Sequence, residues 1–283
     1  MKNIDIDLSR FNSFHSLSCI ESYLLYILST NNYDYRHLYA LSYVSFSKIM
    51  HYFFNERKQF EYYNGVSRLQ QIASKHSVIS IKSIDQPYID IDSEHDYYLL
   101  RLCPKYVEET YGETTWRDDH YVLLANFNDS SWTYINDNPR DYKTLNRSKM
   151  LTAYAGSLIR INLASSITDK MKNLLLQGFL NSMSENKEIF STSSVDDIIA
   201  ARNALAVLRI LRRRIHEYCS QYIYCDFMVD YLNELDRQFS LIEYMRLRNR
   251  VDYSKIENMF LLLQQNDSKV IETINRKMCE KYG

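Results

Sequence analysis
The chain has 283 residues, 46% hydrophobic and 24% charged, ordinary globular usage that sets disordered and fibrous architectures aside. Its formal net charge is −1 and neither half departs far from neutrality, so no field strong enough to draw nucleic acid or an anionic membrane is present. No run approaches the roughly 18 apolar residues of a membrane span, and Met1-Lys2-Asn3-Ile4-Asp5-Ile6-Asp7 alternates acids with apolar residues where a signal peptide needs an apolar stretch. A cytoplasmic protein without membrane association is expected.

In chain order, Ser18-Cys19-Ile20-Glu21 fits a capping box. Ile20, Tyr23, Leu24, Ile27 and Leu28 then recur at helical spacing, predicting a helix over about 19–29 with Cys19 as its first residue. Residues 35–60 are aromatic-rich and show no clear period. Val66–Lys75 reads as a helix leading into a strand at Val78–Ile81, and an acidic loop with Pro87 precedes a strand at Tyr97–Leu102. Strands follow at His120–Phe127 and Trp132–Ile135, separated by the turn chemistry of Asn128-Asp129-Ser130-Ser131. Asn136-Asp137-Asn138-Pro139 ends that hairpin. A short helix over Ser148–Tyr154 and a strand at Ser157–Asn162 close the first half. From Ser165 onward there is no proline, and helices are predicted at about 168–185, 194–218, 220–238, 239–248, 252–264 and 268–281. The simplest organisation is an α+β domain over 1–163 followed by an all-helical domain over 164–283.

Rare residues exclude several chemistries. The five glycines (65, 112, 156, 178 and 283) are too scattered to write a P-loop, a G-x-G-x-x-G turn or a G-x-S-x-G elbow. The seven histidines contain no H-E-x-x-H pair, and no C-x-x-C exists, so a metal site local in sequence is not expected. Five scattered cysteines suggest reduced thiols and no disulfide framework. What remains is a cysteine nucleophile with partners from distant segments. Cys19 sits where a helix dipole and backbone N–H groups favour a thiolate. His120 opens an apolar strand, and Asp137 ends the next one, so Cys19, His120 and Asp137 form a candidate triad. Cys103, Cys219 and Cys225 read as packing.

Phe14-His15-Ser16-Leu17-Ser18-Cys19-Ile20-Glu21-Ser22-Tyr23-Leu24, Asp119-His120-Tyr121-Val122-Leu123-Leu124 and Ile135-Asn136-Asp137-Asn138-Pro139 together resemble the papain-like family of the butirosin-pathway acyltransferase. More distantly they resemble the leader peptidases of bacteriocin exporters. The resemblance covers about residues 10–163. It implies a papain-like cysteine protease fold with a C-terminal helical domain. It also implies an acyltransferase of antibiotic or nonribosomal-peptide biosynthesis, with Cys19 attacking an acyl thioester on the phosphopantetheine of an acyl or peptidyl carrier protein. A small amine is the acceptor, and no tightly bound cofactor is implied. The glutamine that papain-like enzymes place about six residues before the nucleophile is absent, and Ser13 stands there; Asn12 and His15 are the candidates to line the oxyanion or substrate site. Arg209, Arg212, Arg213 and Arg214 form the densest basic cluster, readable as a carrier-docking face or as a solvated helix face paired with acids. The apolar helical half would also allow a homodimer. A papain-like peptidase or amidase, or a non-catalytic binding module on the same fold, are the alternatives.

Overall fold
The computed structural model describes residues 4–57, 68–85, 97–112, 120–128, 130–163, 168–184 and 195–282. The loop around Pro87, Asp119, Asp129 and the expected domain junction at Ala164 lie outside them. The chain divides into two compact units: residues 4–35 with 68–163, and residues 36–57 with 168–282. The expected contiguous division therefore changes at one place, because 36–57 groups with the helices. The physical reason is aromatic packing. Phe46 and Phe54 meet the ring of Phe260 edge-on at 6.4 and 5.6 Å, so the surface that buries this segment lies some 200 residues downstream.

The first unit is α+β. Its helix α1 (Cys19–Thr30) is buried continuously from Ile20 to Leu28. The Ser18 hydroxyl accepts from the Glu21 N–H at 3.2 Å, while the Glu21 carboxylate accepts from the Leu17 N–H at 2.7 Å, one residue earlier than in the ordinary capping box. A 3₁₀ turn at Leu8–Ser13 precedes it, capped by Asp7, whose own N–H donates to the Tyr26 hydroxyl at 3.0 Å. Phe11 of that turn stacks on Tyr26 at 4.7 Å and meets Tyr23 edge-on at 6.0 Å.

Helix α2 (Arg68–Lys75) leads into β1 (Ile79–Asp85), which runs four residues beyond its predicted end. Strands β2 (Tyr97–Leu102), β3 (Tyr121–Phe127), β4 (Ser131–Asp137), β5 (Arg140–Asn146) and β6 (Tyr154–Leu163) complete one antiparallel sheet in the order β1-β6-β2-β3-β4-β5. The β3–β4 turn follows its sequence chemistry: Asn128 Oδ1 accepts from the Ser130 and Ser131 N–H groups at 2.9 and 2.8 Å. Two elements had no sequence prediction, β5 and helix α3 (Pro104–Tyr111). The latter begins with proline and stops at Gly112 with φ +82°. Helix α4 (Arg147–Ala153) is capped by Asn146.

Strand alternation sorts the sheet into two faces. Tyr98, Leu100, Leu102, Val122, Leu124, Trp132, Tyr134 and Leu158 form one buried face with Val107 of α3 and Met150 and Ala153 of α4. Helix α1 contacts β3 and β4. It approaches from the opposite face, because its Tyr23 bonds to Asp137, whose side chain alternates away from Tyr134 and Asn136.

The second unit is helical: α5 (Asp169–Ser184), α6 (Ile198–Cys219), α7 (Val229–Leu247) and α8 (Tyr253–Tyr282), with a 3₁₀ stretch at Tyr35–Ser42 and a short helix at Phe46–Met50 that widens into a π turn at His51–Asn55. The last four predicted helices are two in the structure. Arg212 is fully buried and bonds Asp267 through Nε and Nη2 at 2.6 and 2.7 Å, while its Nη1 donates to the Val44 carbonyl at 3.0 Å. Tyr231 donates to the same carboxylate at 2.8 Å. Arg214 is also fully buried, with its guanidinium 5.5 Å from the centre of the Tyr39 ring. Arg209 and Arg213 both bond Asp236. Two of the basic cluster's four members are therefore core residues, while the other two are partly exposed and paired with one acid, as the reading of a helix face paired with acids expects. Among the described residues, no helix is long and apolar enough to cross a membrane.

Candidate functional site
Cys19 opens α1 as expected and is half-buried, so its sulfur lies at the surface end of an otherwise buried helix. The first N–H groups of a helix have no intrahelical acceptor, and the macrodipole is positive there, which favours a thiolate over a thiol.

His120 immediately precedes β3 and is only 3% exposed. Its carbonyl accepts from Leu102 N–H at 2.9 Å, which fixes its backbone against β2. Its Nε2 lies 2.7 Å from Oδ1 of Asn136, a fully buried residue of β4. Asn136 in turn donates from Nδ2 to the Pro139 carbonyl at 2.7 Å. The second bond decides the first: a reversed amide would set its oxygen against another carbonyl, so Oδ1 faces the ring and Nε2 carries the proton. Nδ1 is then the basic nitrogen of the neutral imidazole. Tyr111 of α3 packs edge-on against this ring, with centroids 6.2 Å apart at 72°. The Tyr111 hydroxyl is held by Tyr134 at 3.1 Å and by Asp141 at 3.4 Å.

Asp137 does not occupy the place expected of it. It follows Asn136 on β4 and so points to the other face, toward α1. There the Tyr23 hydroxyl donates to its Oδ1 at 3.2 Å and accepts from its N–H at 3.0 Å. Burial pushes the carboxyl from 3.8 to about 6, against the opposing pull of hydrogen bonds from Tyr23, Ser22 and backbone N–H groups. Burial, with Asp137 and Cys19 nearby, pushes the Tyr23 phenol well above its ordinary value, so it stays a neutral donor. The residue that orients the imidazole is thus Asn136, and Asp137 belongs with Tyr23.

Beside these groups the first unit has a cleft of about 500 Å³ lined by Phe11, Phe14, Ser16, Ser22, Asp137 and Arg140, among others. Ser22 lies three residues after Cys19, on the same side of α1, so the cleft opens one helical turn from the thiol. Asn12 is exposed, and its Oδ1 accepts from Arg140 Nη1. That bond ties the amide oxygen to β5 and does not involve Nδ2, the group an oxyanion donor would use. His15 is half-buried in the segment leading to α1. Among the described residues, no three His, Cys, Asp or Glu side chains converge as metal ligands.

No protein-family model matches the chain, and no curated protein matches it.

Sequence reasoning missed Asn136, Tyr23 and Arg140. A signal for the first was present, since Asn136 stands beside Asp137 and an amide serves as well as a carboxylate to hold an imidazole. Choosing between them requires the strand register.

Proposed function
We propose that the chain is a papain-like, cysteine-dependent acyltransferase with Cys19 as nucleophile, His120 as acid–base group and Asn136 as its orienter. The observation that carries this reading is the His120–Asn136 bond with its Pro139 anchor, which protonates Nε2 and makes Nδ1 the base. A buried imidazole must be hydrogen-bonded whatever its role; what suits this one to acid–base work is that the bond fixes its tautomer with Nδ1 as the basic nitrogen. The half-buried cysteine at the start of α1 supplies the thiol.

In the reaction, the Cys19 thiol proton must reach His120 Nδ1 at the end of the sheet where His120 precedes β3, because α1 and the His120–Asn136 pair belong to opposite faces. The sulfur then attacks the carbonyl of an acyl thioester. The carbon–sulfur bond of the donor breaks, and the departing thiolate recovers the proton from the imidazolium. An amine then attacks the acyl-Cys19 thioester and gives a proton to His120, and Cys19 leaves as a thiolate. Entering and leaving groups of the first step are chemically alike, so it runs without a large driving force. The word transferase, the phosphopantetheine donor and the carrier protein rest on the sequence resemblance.

The test is intact-mass spectrometry after incubation with the propionyl thioester of N-acetylcysteamine, then with the same acyl group on a phosphopantetheinylated carrier protein. The reading expects one propionyl adduct on Cys19, absent in Cys19→Ala and released as an amide when an amine is added. Release only as free propionate assigns the chain to hydrolysis, and the absence of any adduct assigns it to the binding modules.

A further inference from the structure
Asp137 and Arg140 are direct partners across the β4–β5 hairpin. Opposite residues of an antiparallel pair share a face and stand about 5 Å apart at Cβ, so an aspartate and an arginine placed there ordinarily bond each other. Among the described residues these two form no ion pair. Asp137 is turned to neutral donors, the hydroxyls of Tyr23 and Ser22 and backbone N–H groups. Arg140 is turned to the neutral amide oxygen of Asn12. Both charged side chains line the same cleft, with the rings of Phe11 and Phe14 beside them. Both rings are almost fully buried, Phe11 stacked on Tyr26 and meeting Phe14 edge-on at 6.2 Å, so they back the cleft and leave its open wall polar. A half-buried carboxylate left without a cation is costly, and a ligand bringing both charges would satisfy it and the guanidinium together.

We propose that this cleft receives the zwitterion of an amino acid, its ammonium on Asp137 and its carboxylate on Arg140. Opposite charges held apart on one wall match a molecule that carries an ammonium and a carboxylate a few ångströms apart. A simple amine or a simple acid satisfies only half of the pair. The role of the ligand rests on the acyl-transfer reading: the amino acid is the acceptor. Its ammonium gives one proton to solvent base, and the amine nitrogen bonds the acyl carbon on Cys19. The carbon–sulfur bond then breaks, and the second proton passes to His120, giving an N-acyl amino acid and the Cys19 thiolate.

Three probes separate the parts: L-phenylalanine, phenethylamine, which lacks the carboxylate, and 3-phenylpropionate, which lacks the ammonium. Their affinities are measured by NMR titration of full-length Cys19→Ala protein, so that no chemistry intervenes. L-phenylalanine binds at least about tenfold more tightly than either fragment, each lost charge-assisted bond accounting for roughly that factor. Added to that protein, Asp137→Asn, isosteric with the native residue, brings L-phenylalanine down to the level of 3-phenylpropionate. Arg140→Gln, at an exposed position, brings it down to the level of phenethylamine. Equal affinities for the three probes, or no saturable binding of L-phenylalanine, overturns the proposal. Wild-type protein charged with propionyl thioester supplies the second arm. Selective binding without N-propionyl-phenylalanine leaves the zwitterion site standing and sinks the acyl-transfer reading; propionyl transfer to phenethylamine as readily as to L-phenylalanine, without selective binding, does the reverse.

Discussion

The two units hold their charged side chains in opposite ways. In the helical unit, Arg212 and Asp267 satisfy one another: two guanidinium–carboxylate bonds, the Tyr231 hydroxyl and the Val44 carbonyl close the group on itself. In the sheet unit, Asp137 and Arg140 stand opposite each other in the strand register and yet are held by separate neutral partners. A closed polar network specifies a core; an ion pair kept open beside a cleft has capacity left for a ligand. The same contrast holds for orientation. Nothing about Arg212 requires a tautomer, whereas His120 is held through Nε2 by an amide that is itself anchored.

The largest expected effect tests the chemistry of the sheet unit. His120→Ala lowers the rate of Cys19 acylation by about 10²–10⁴-fold, the usual contribution of a positioned acid–base group, while leaving the denaturation midpoint of the helical unit unchanged. Asn136→Ala falls between wild type and His120→Ala, because the ring keeps its nitrogen but loses its orienter. Stopped-flow measurement with a chromogenic thioester reads both, and equal rates for all three proteins would dissolve the contrast.

Next comes the closed network. Asp267→Ala strands the Arg212 charge in the core and costs about 3–5 kcal/mol, read by chemical denaturation, whereas the double replacement Arg212→Met with Asp267→Leu recovers most of that loss. Should the single variant cost under about 1 kcal/mol, the pair is not the closed, dry group described above.

A smaller effect is a pH dependence. The Asp137 carboxyl has its folded value raised from 3.8 to about 6, so the folded protein holds that proton more tightly than the unfolded chain. Its contribution to stability is fully present below about pH 4 and lost as the pH rises through about 6. The amount is at most about 3 kcal/mol, an upper end because the residue is only half-buried. The stability of wild type relative to Asp137→Asn should therefore decline between pH 4 and pH 7.5; a difference that stays constant would mean the carboxyl titrates normally. The smallest effect is Ser18→Ala, which removes the cap of α1 at a cost of about 1 kcal/mol, visible as a lowered melting temperature.

The miss at Asp137 has a specific cause. Near the turn, β3 and β4 pair as Phe127 with Trp132 and Asn126 with Thr133. Continued unchanged, that register would put His120 on the same face as Asp137. Between Leu124 and Asn126 the register shifts by one residue, and beyond it Leu124 pairs with Tyr134 and Leu123 with Ile135. Because side chains alternate with a period of two, that one residue exchanges the faces and hands the imidazole to Asn136. Nothing in Ala125 announces the bulge. Its carbonyl accepts from the N–H of Ile4 at 3.1 Å, a contact over more than a hundred residues.

Local chemistry alone was enough for α1, with its Ser18 cap and Cys19 at the first position, for the Asn128 turn, for β2 and for the helical character of the second half. The cap and the turn are set by hydrogen bonds between groups within a few residues of one another, and β2 and the helices by apolar patterning along their own sequence. Strand β5 and helix α3 lacked such a signal, since β5 alternates exposed and half-buried residues with no buried run to mark it. The grouping of residues 36–57 with the helices, the burial of Arg212 and Arg214, and the choice of Asn136 over Asp137 were decided only when distant segments met. Burial and strand facing are properties of a partner surface, and the partner in each case lies far along the chain.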